Sequence, residues 1–304
     1  KIEEIVIKPF EEKYNVEVVL VAGRTAERFS MLEAGTEPVP DVIFLPDYYT
    51  YQAVQKGLLE KIDKTKLSNY NKLRPVFQNL PDVGDYGVPH TVQDLALVYR
   101  SDLVDPPITS FLDLAREDLQ GYVLLSSITA TSGPMTLVMC AIANGGSVDN
   151  VEPGFEFLEG IRDGVVTFYT RSSEPLSLFE RGEAYVSVAL RYQWGAFTEL
   201  PVPVKFVIPE EGSIYEVNMM SIVKGSKNID LAYKLMDFWI STEVQRALAE
   251  AMVDAPVNGE VQLEEGHPFY LEPIFENPIY LRPSILAEKL TEWSEEWKSR
   301  IEVG

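Results

Sequence analysis

Apolar, β-branched runs recur at residues 16–22, 41–45, 95–99, 122–125, 165–169, 185–190, 204–208 and 219–223, with stretches of helical period between them. Runs that are apolar at nearly every position suit strands of a sheet covered on both faces by helices. The intervening helices carry end signals. Thr242-Glu243-Val244-Gln245 has the spacing of a capping box and predicts a helix over 242–252. Gly133-Pro134 marks a helix start, and Asn144-Gly145-Gly146 its stop. Residues 231–240 (LAYKLMDFWI) are apolar at i, i+3 and i+4, so one stripe of that helix should lie on a sheet. A charged amphipathic helix is expected over 284–301. The pattern is that of an α/β protein. Alternation of strand and helix runs through both halves, with no repeat and no Gly/Ser linker. Two extended stretches, 86–99 and 214–223, could be paired crossings between lobes.

Composition narrows the function classes. The chain has 304 residues, 26 basic against 47 acidic, and a net charge of −21. Such a surface repels a nucleic acid instead of releasing its counterions, so no nucleic-acid partner is expected. No apolar run reaches the ~18–20 residues of a membrane span. The single cysteine, Cys140, stands in an apolar stretch and reads as a small buried hydrophobe, and the two histidines are His90 and His267. Zinc-finger and His-dependent protease chemistry, which need more of these residues, are poor fits. Nor is there a Gly-rich phosphate loop or a nucleophile elbow, so no catalytic residue, metal or cofactor is expected.

Several stretches carry a family likeness. Residues 8–18 (KPFEEKYNVEV), Pro40-Asp41-Val42-Ile43, Leu45-Pro46-Asp47-Tyr48-Tyr49 and 57–70 (GLLEKIDKTKLSNY) come in that order. Tyr86-Gly87-Val88-Pro89 then leads into 95–100 (LALVYR), Gly182-Glu183 precedes a strand, and Lys224-Gly225-Ser226-Lys227-Asn228 precedes the helix with Phe238-Trp239. Together they resemble the extracellular solute-binding proteins of ABC importers, in particular the spermidine/putrescine-binding branch. The resemblance implies a two-lobe periplasmic-binding-protein fold of type II. Each lobe would be a helix-flanked mixed sheet, the lobes would be joined by crossing hinge strands, and a solute would be captured in the cleft between them by hinge closure. Carried onto this chain, lobe 1 is 1–92 with 219–255 and lobe 2 is 93–218 with 256–304. The resemblance also implies no enzymatic activity. The implied partners are a small-molecule solute and the permease and ATPase subunits of an importer. It further implies a monomer, a periplasmic or extracellular location, and membrane contact only through the permease or a lipid anchor. The family's usual first strand does not precede Lys1, so it is either trimmed away or replaced, and the export signal and anchor cysteine are absent as in a mature segment.

Candidate ligand-binding residues fall into groups at strand ends, where doubly wound sheets gather ligands. Asp47, Tyr48 and Tyr49 follow the 41–45 run and offer a charge, flat rings and hydroxyls. The ordinary alternative is an N-cap aspartate with two half-buried tyrosines. Ser127, Thr129, Thr131 and Ser132 lie in the polar turn 126–133, where hydroxyls and free N–H groups at a helix start favour an anion. A plain serine cap explains them equally. The polyamine branch carries carboxylates in the turn aligned with Thr131 and Ser132. Arg191, Tyr192 and Trp194 follow the 185–190 run, with Arg191 either a fork for a carboxylate or a salt-bridge partner. Tyr215, Glu216 and Asn218 sit on the second crossing, where alternation puts Glu216 and Asn218 on one side. Thr91 and Gln93 lie near the first crossing beside Asp94. The ligand's sign stays open: Asp47 and Glu216 suit a polyamine-like amine, while Arg191 with the 126–132 turn suits a carboxylate, an aminophosphonate or a zwitterion.

Overall fold

The structure is a computed structural model, and it describes residues 1–303. Its strands, in chain order, are β1 (Val42–Pro46), β2 (Val88–Arg100), β3 (Val123–Ser126), β4 (Val165–Tyr169), β5 (Val186–Leu190), β6 (Val204–Val207), β7 (Ser213–Ile222) and β8 (Pro278–Tyr280). The α-helices are α1 (Lys8–Tyr14), α2 (Thr25–Ala34), α3 (Asp47–Gln55), α4 (Ser132–Ala143), α5 (Glu152–Ile161), α6 (Glu174–Glu180), α7 (Trp194–Thr198), α8 (Ile229–Trp239), α9 (Thr242–Glu250) and α10 (Pro283–Arg300). The chain divides into two compact units. The first comprises Lys1–Gln93, Glu216–Tyr270 and Arg282–Ala287; the second comprises Asp94–Tyr215, Leu271–Leu281 and the chain from Glu288. The long strands β2 and β7 each run from one unit into the other.

In the first unit, β1 pairs antiparallel with the distal half of β7, Val42 opposite Ile222 and Pro46 opposite Asn218. Helices α2 and α3 cover this ladder around a cluster of Phe29, Leu32, Ile43, Leu45, Ala53, Leu59 and Val223. Residues 256–270 belong to this unit, whereas the sequence reading placed them with lobe 2. Buried polar ties explain the difference. Gln245 accepts from the Val257 amide (2.8 Å), Asn258 donates to the Ile240 carbonyl (2.8 Å), and Thr91 donates to the Ala255 carbonyl (3.0 Å). Residues 216–218 also fall here, because Asn218 is in register with β1.

The second unit holds a mixed sheet. β5 lies between antiparallel β2 and parallel β3, β4 runs parallel on the far side of β3, and β6 pairs antiparallel with β2. β3 and β5 are buried at every position, matching their continuous apolar runs. Helix α4 is buried from Ser132 through Ala141 and includes Cys140, whose thiol burial pushes up. Gly133 explains how α4 starts so close to its loop: a Cβ there would lie 2.1 Å from the Ser127 carbonyl oxygen and 2.6 Å from the Ile128 Cα. Glycine to alanine normally favours a helix by roughly 0.5–1 kcal/mol. Here Gly133→Ala is expected to destabilise instead, by about 1–3 kcal/mol as an overpacked site does, read as a lower denaturant midpoint.

Two local expectations are corrected. No strand forms over 16–22. The chain leaves α1 through Asn15 in the left-handed region (φ 51) and runs on irregularly, with Val19, Leu20 and Val21 75%, 51% and 44% exposed. Apolar content alone does not make a strand without a neighbour in register to complete the ladder; here the Val18 amide bonds the Glu11 carboxylate instead (2.7 Å). The cap of α9 is Ser241, whose hydroxyl accepts from the Val244 amide (3.5 Å). Gln245, expected to close a capping box, turns inward and donates to the His90 carbonyl (3.0 Å).

Candidate functional site

In the first unit the candidate residues gather where β1 ends against β7. Pro46 hands the chain from strand to helix, and Asp47 is the first residue of α3. One carboxylate oxygen of buried Asp47 accepts from the Tyr48 amide (2.8 Å), and the other accepts from the Val217 amide on β7 (3.3 Å). These bonds tie the Asp47 side chain to the first turn of α3 and to β7. It is therefore not the cap residue that the plainer reading supposed.

Glu216 is its neighbour. Along β7 the residues Tyr215, Val217 and Met219 are buried, whereas Glu216 and Asn218 on the alternate side retain exposure. Among the described residues, no hydrogen bond or ion pair engages the Glu216 side chain. Enclosure by protein, and then the Asp47 charge, push its carboxyl up to about 8. Water reaches part of this side chain, and the nearby like charge with no donor acts in the same upward direction as the enclosure. Asp47 thus bonds backbone amides, while Glu216, close enough to feel its charge, has no hydrogen bond.

The aromatic candidates separate. Tyr48 is half-buried with its phenol pushed up, by burial first and then by Tyr49, and the two rings meet edge to face at 5.5 Å. Tyr49 packs on Phe29 (5.2 Å) against the α2–α3 core, which makes it chiefly a packing residue. Thr91 and Gln93 are buried on β2, and Thr91 is taken up by Ala255. Nearby, His90 lies among Phe44, Trp239 and Asp254, its Nδ1 3.5 Å from the Asp254 carboxylate.

In the second unit Arg191 is buried and aims its fork at Asp94. Its Nε and Nη2 face the two carboxylate oxygens, the Nη2 bond being 2.9 Å, and Asp94 has no exposed surface. The Ser213 hydroxyl lies 3.5 Å from the same carboxylate. The guanidinium also sits over Phe206 (5.6 Å), which Trp194 meets edge-on at 4.6 Å. Tyr192 is 49% exposed. In the turn before α4, Ser127 and Ser132 are buried while Thr129 and Thr131 are exposed. Ser127 bonds Thr129 (3.3 Å), and Ser126 bonds Thr136 (3.0 Å). The structure therefore brings Arg191 and Trp194 together around Phe206. Tyr215 is buried and stacks on Tyr280 at 5.2 Å, with the planes 20° apart. Tyr280 comes from β8, which pairs parallel with β7. Sequence reading missed Tyr280, because a three-residue strand carries no periodic signal.

Comparison with known proteins agrees with this architecture. The profile of the family described as bacterial extracellular solute-binding protein matches residues 6–272. The spermidine/putrescine-binding periplasmic protein of Salmonella typhimurium is 26% identical over 254 residues, covering 81% of this chain and 72% of that protein, and its Escherichia coli counterpart matches to the same extent. The crystal structure of an ABC transporter protein from Clostridium perfringens superposes with a TM-score of 0.89 at 29% identity, covering 99% of this chain and 96% of the other. Structures with the two-lobe fold of periplasmic binding proteins include the spermidine/putrescine transporter substrate-binding protein of Streptococcus pneumoniae, with a TM-score of 0.84 at 18% identity over 98% and 95% of the chains. With the family profile covering most of its length, this chain belongs to the bacterial extracellular solute-binding proteins.

Proposed function

We propose that the chain is the capturing subunit of an ABC importer. It would act outside the cytoplasmic membrane, bind a cationic amine without chemical change and pass it to a permease. One observation carries the ligand's sign: the bare Glu216 carboxylate beside the bonded Asp47. Glu216 has no hydrogen-bond donor and feels the charge of Asp47, and an ammonium group is the partner that relieves that like charge. The half-buried Tyr48 ring adds a face that attracts cations. The curated relatives named as spermidine/putrescine-binding proteins support the same class.

The alternative, an anionic or zwitterionic solute held by Arg191, has less to rest on, because the Arg191 fork already faces Asp94. Export is supported by the family's extracellular character; among the described residues no helix is long and apolar enough to cross a membrane. The test is titration calorimetry with putrescine, cadaverine, spermidine, a neutral diol of matched length and a dicarboxylate. Saturable heat with one or more amines, and none with the diol or the diacid, is the expected result. Binding of the diacid alone would overturn the assignment of sign.

A further inference from the structure

Three regular elements run from one unit into the other: β2, β7 and α10, whose leading residues up to Ala287 belong to the first unit. We infer that α10 is a stiff strap and the Asp82 carboxylate its fastening, and that together they limit how far the units part while no solute is bound. This deepens the capture reading above and rests on it only for the effect on solute affinity.

The helix is built to stay straight. Its 18 residues make a rod of about 27 Å, with neither glycine nor proline after Pro283 to give a kink a foothold. A swing of the units must therefore be taken up where α10 is attached. In the second unit the attachment is deep. Trp293 and Trp297 are buried, Trp297 meets Phe168 edge-on at 5.5 Å, and Arg300 bonds Glu152 (2.9 Å) and Glu159 (2.6 Å). The Arg300 guanidinium also lies over the Phe155 ring (5.1 Å), and the Arg300 carbonyl accepts from Arg162.

In the first unit Asp82 gathers four bonds from the start of α10. It accepts from Arg282 Nη2 (2.6 Å) and Nε (3.3 Å), and from the Ser284 hydroxyl (2.7 Å) and amide (3.3 Å). The Ser284 amide is one of the first-turn N–H groups that a helix cannot satisfy by itself, so Asp82 caps α10 from a distant part of the chain. Burial works against the Asp82 charge, but Arg282 and Ser284 outweigh it and hold the carboxyl below its ordinary range. The acid is itself fixed by a tight turn: its φ is 69°, and Leu80 and Val83 on either side are buried. Arg282, in contrast, leaves 49% of its side chain in water. The attachment that yields first is therefore this clasp at the surface, not the buried indoles. With the clasp cut, the free protein swings wider and a smaller fraction of it stands ready to close. Apparent solute affinity then falls by roughly 3- to 30-fold.

The experiment compares the wild type with Asp82→Gly, where glycine accepts the positive φ without strain, and with Arg282→Gln at the half-exposed partner. In the ligand-free arm, hydrogen exchange of amides 284–287 is expected to quicken roughly tenfold or more in both variants, while 293–300 keep their protection. Small-angle X-ray scattering of the same samples is expected to give a larger radius of gyration than the wild type. In the second arm, saturating putrescine brings all three proteins to one radius, and calorimetry reads the loss of affinity in the variants. Faster exchange at 284–287 with an unchanged ligand-free radius overturns the strap, and unchanged exchange overturns Asp82 as its fastening. Tighter putrescine binding by the variants also overturns the proposal, since the clasp would then be resisting closure. If putrescine binds none of the three proteins, it is the amine reading that suffers, while the ligand-free arm still decides the strap.

Discussion

Asp94→Ala is expected to cost the second unit about 3–5 kcal/mol, because it leaves the buried Arg191 guanidinium without its carboxylate. The pair is enclosed on both sides: Asp94 has no exposed surface and Arg191 keeps 5%. Desolvation has already been incurred by both ions, so removing Asp94 takes from Arg191 the two-pronged bond that offset much of its share. The double change Asp94→Leu/Arg191→Met is expected to recover most of that loss, since well-packed apolar side chains carry no such penalty. Denaturant unfolding of the three variants measures this. A single-variant loss under about 1 kcal/mol, the range of exposed ion pairs, would show that water reaches the pair.

The second large effect concerns binding. Glu216→Gln keeps the shape and polarity of a protonated glutamate, so the free protein should fold with wild-type stability or better near neutral pH. It cannot supply the charge for an ammonium, and about 2–5 kcal/mol of amine affinity should disappear, on the order of 30-fold to several thousand-fold in Kd. Asp47→Asn is expected to weaken both properties, because the Val217 and Tyr48 amides lose an ionised acceptor. Amine affinity within a factor of three of wild type in Glu216→Gln would remove that residue from the site. Equal losses of stability and affinity would instead mark a structural role.

Much of the architecture was legible from one sequence. The runs at 41–45, 95–99, 165–169, 185–190 and 204–208 lie on β1, β2, β4, β5 and β6, because residues buried on both sheet faces leave continuous apolar stretches. The helices around Gly133-Pro134 and Thr242 were also placed within a residue or two. Residues 16–22 failed for a reason that composition cannot express: a strand is a relation between two segments, and the run has no partner among the described residues. The site was legible as a set of positions but not as a set of pairs. Asp94 and Arg191 are far apart in sequence, as are Asp47 and Val217, and neither residue type nor spacing reveals which acid meets which donor. Alternation along β7 did place Glu216 and Asn218 on one side, and that local rule located the bare carboxylate.

The discontinuous make-up of the first unit bears on how the protein is synthesised. Strands β2 through β6 are complete once residue 207 has left the ribosome, and the pairings among these five strands need nothing later. β1 emerges early but finds its ladder only when residues 218–222 appear. Until then its edge and the apolar side chains of Ile43 and Leu45 stay uncovered on the nascent chain. The middle of the polypeptide therefore matures ahead of its beginning, and holdase chaperones would find their longest-lived target in the first hundred residues.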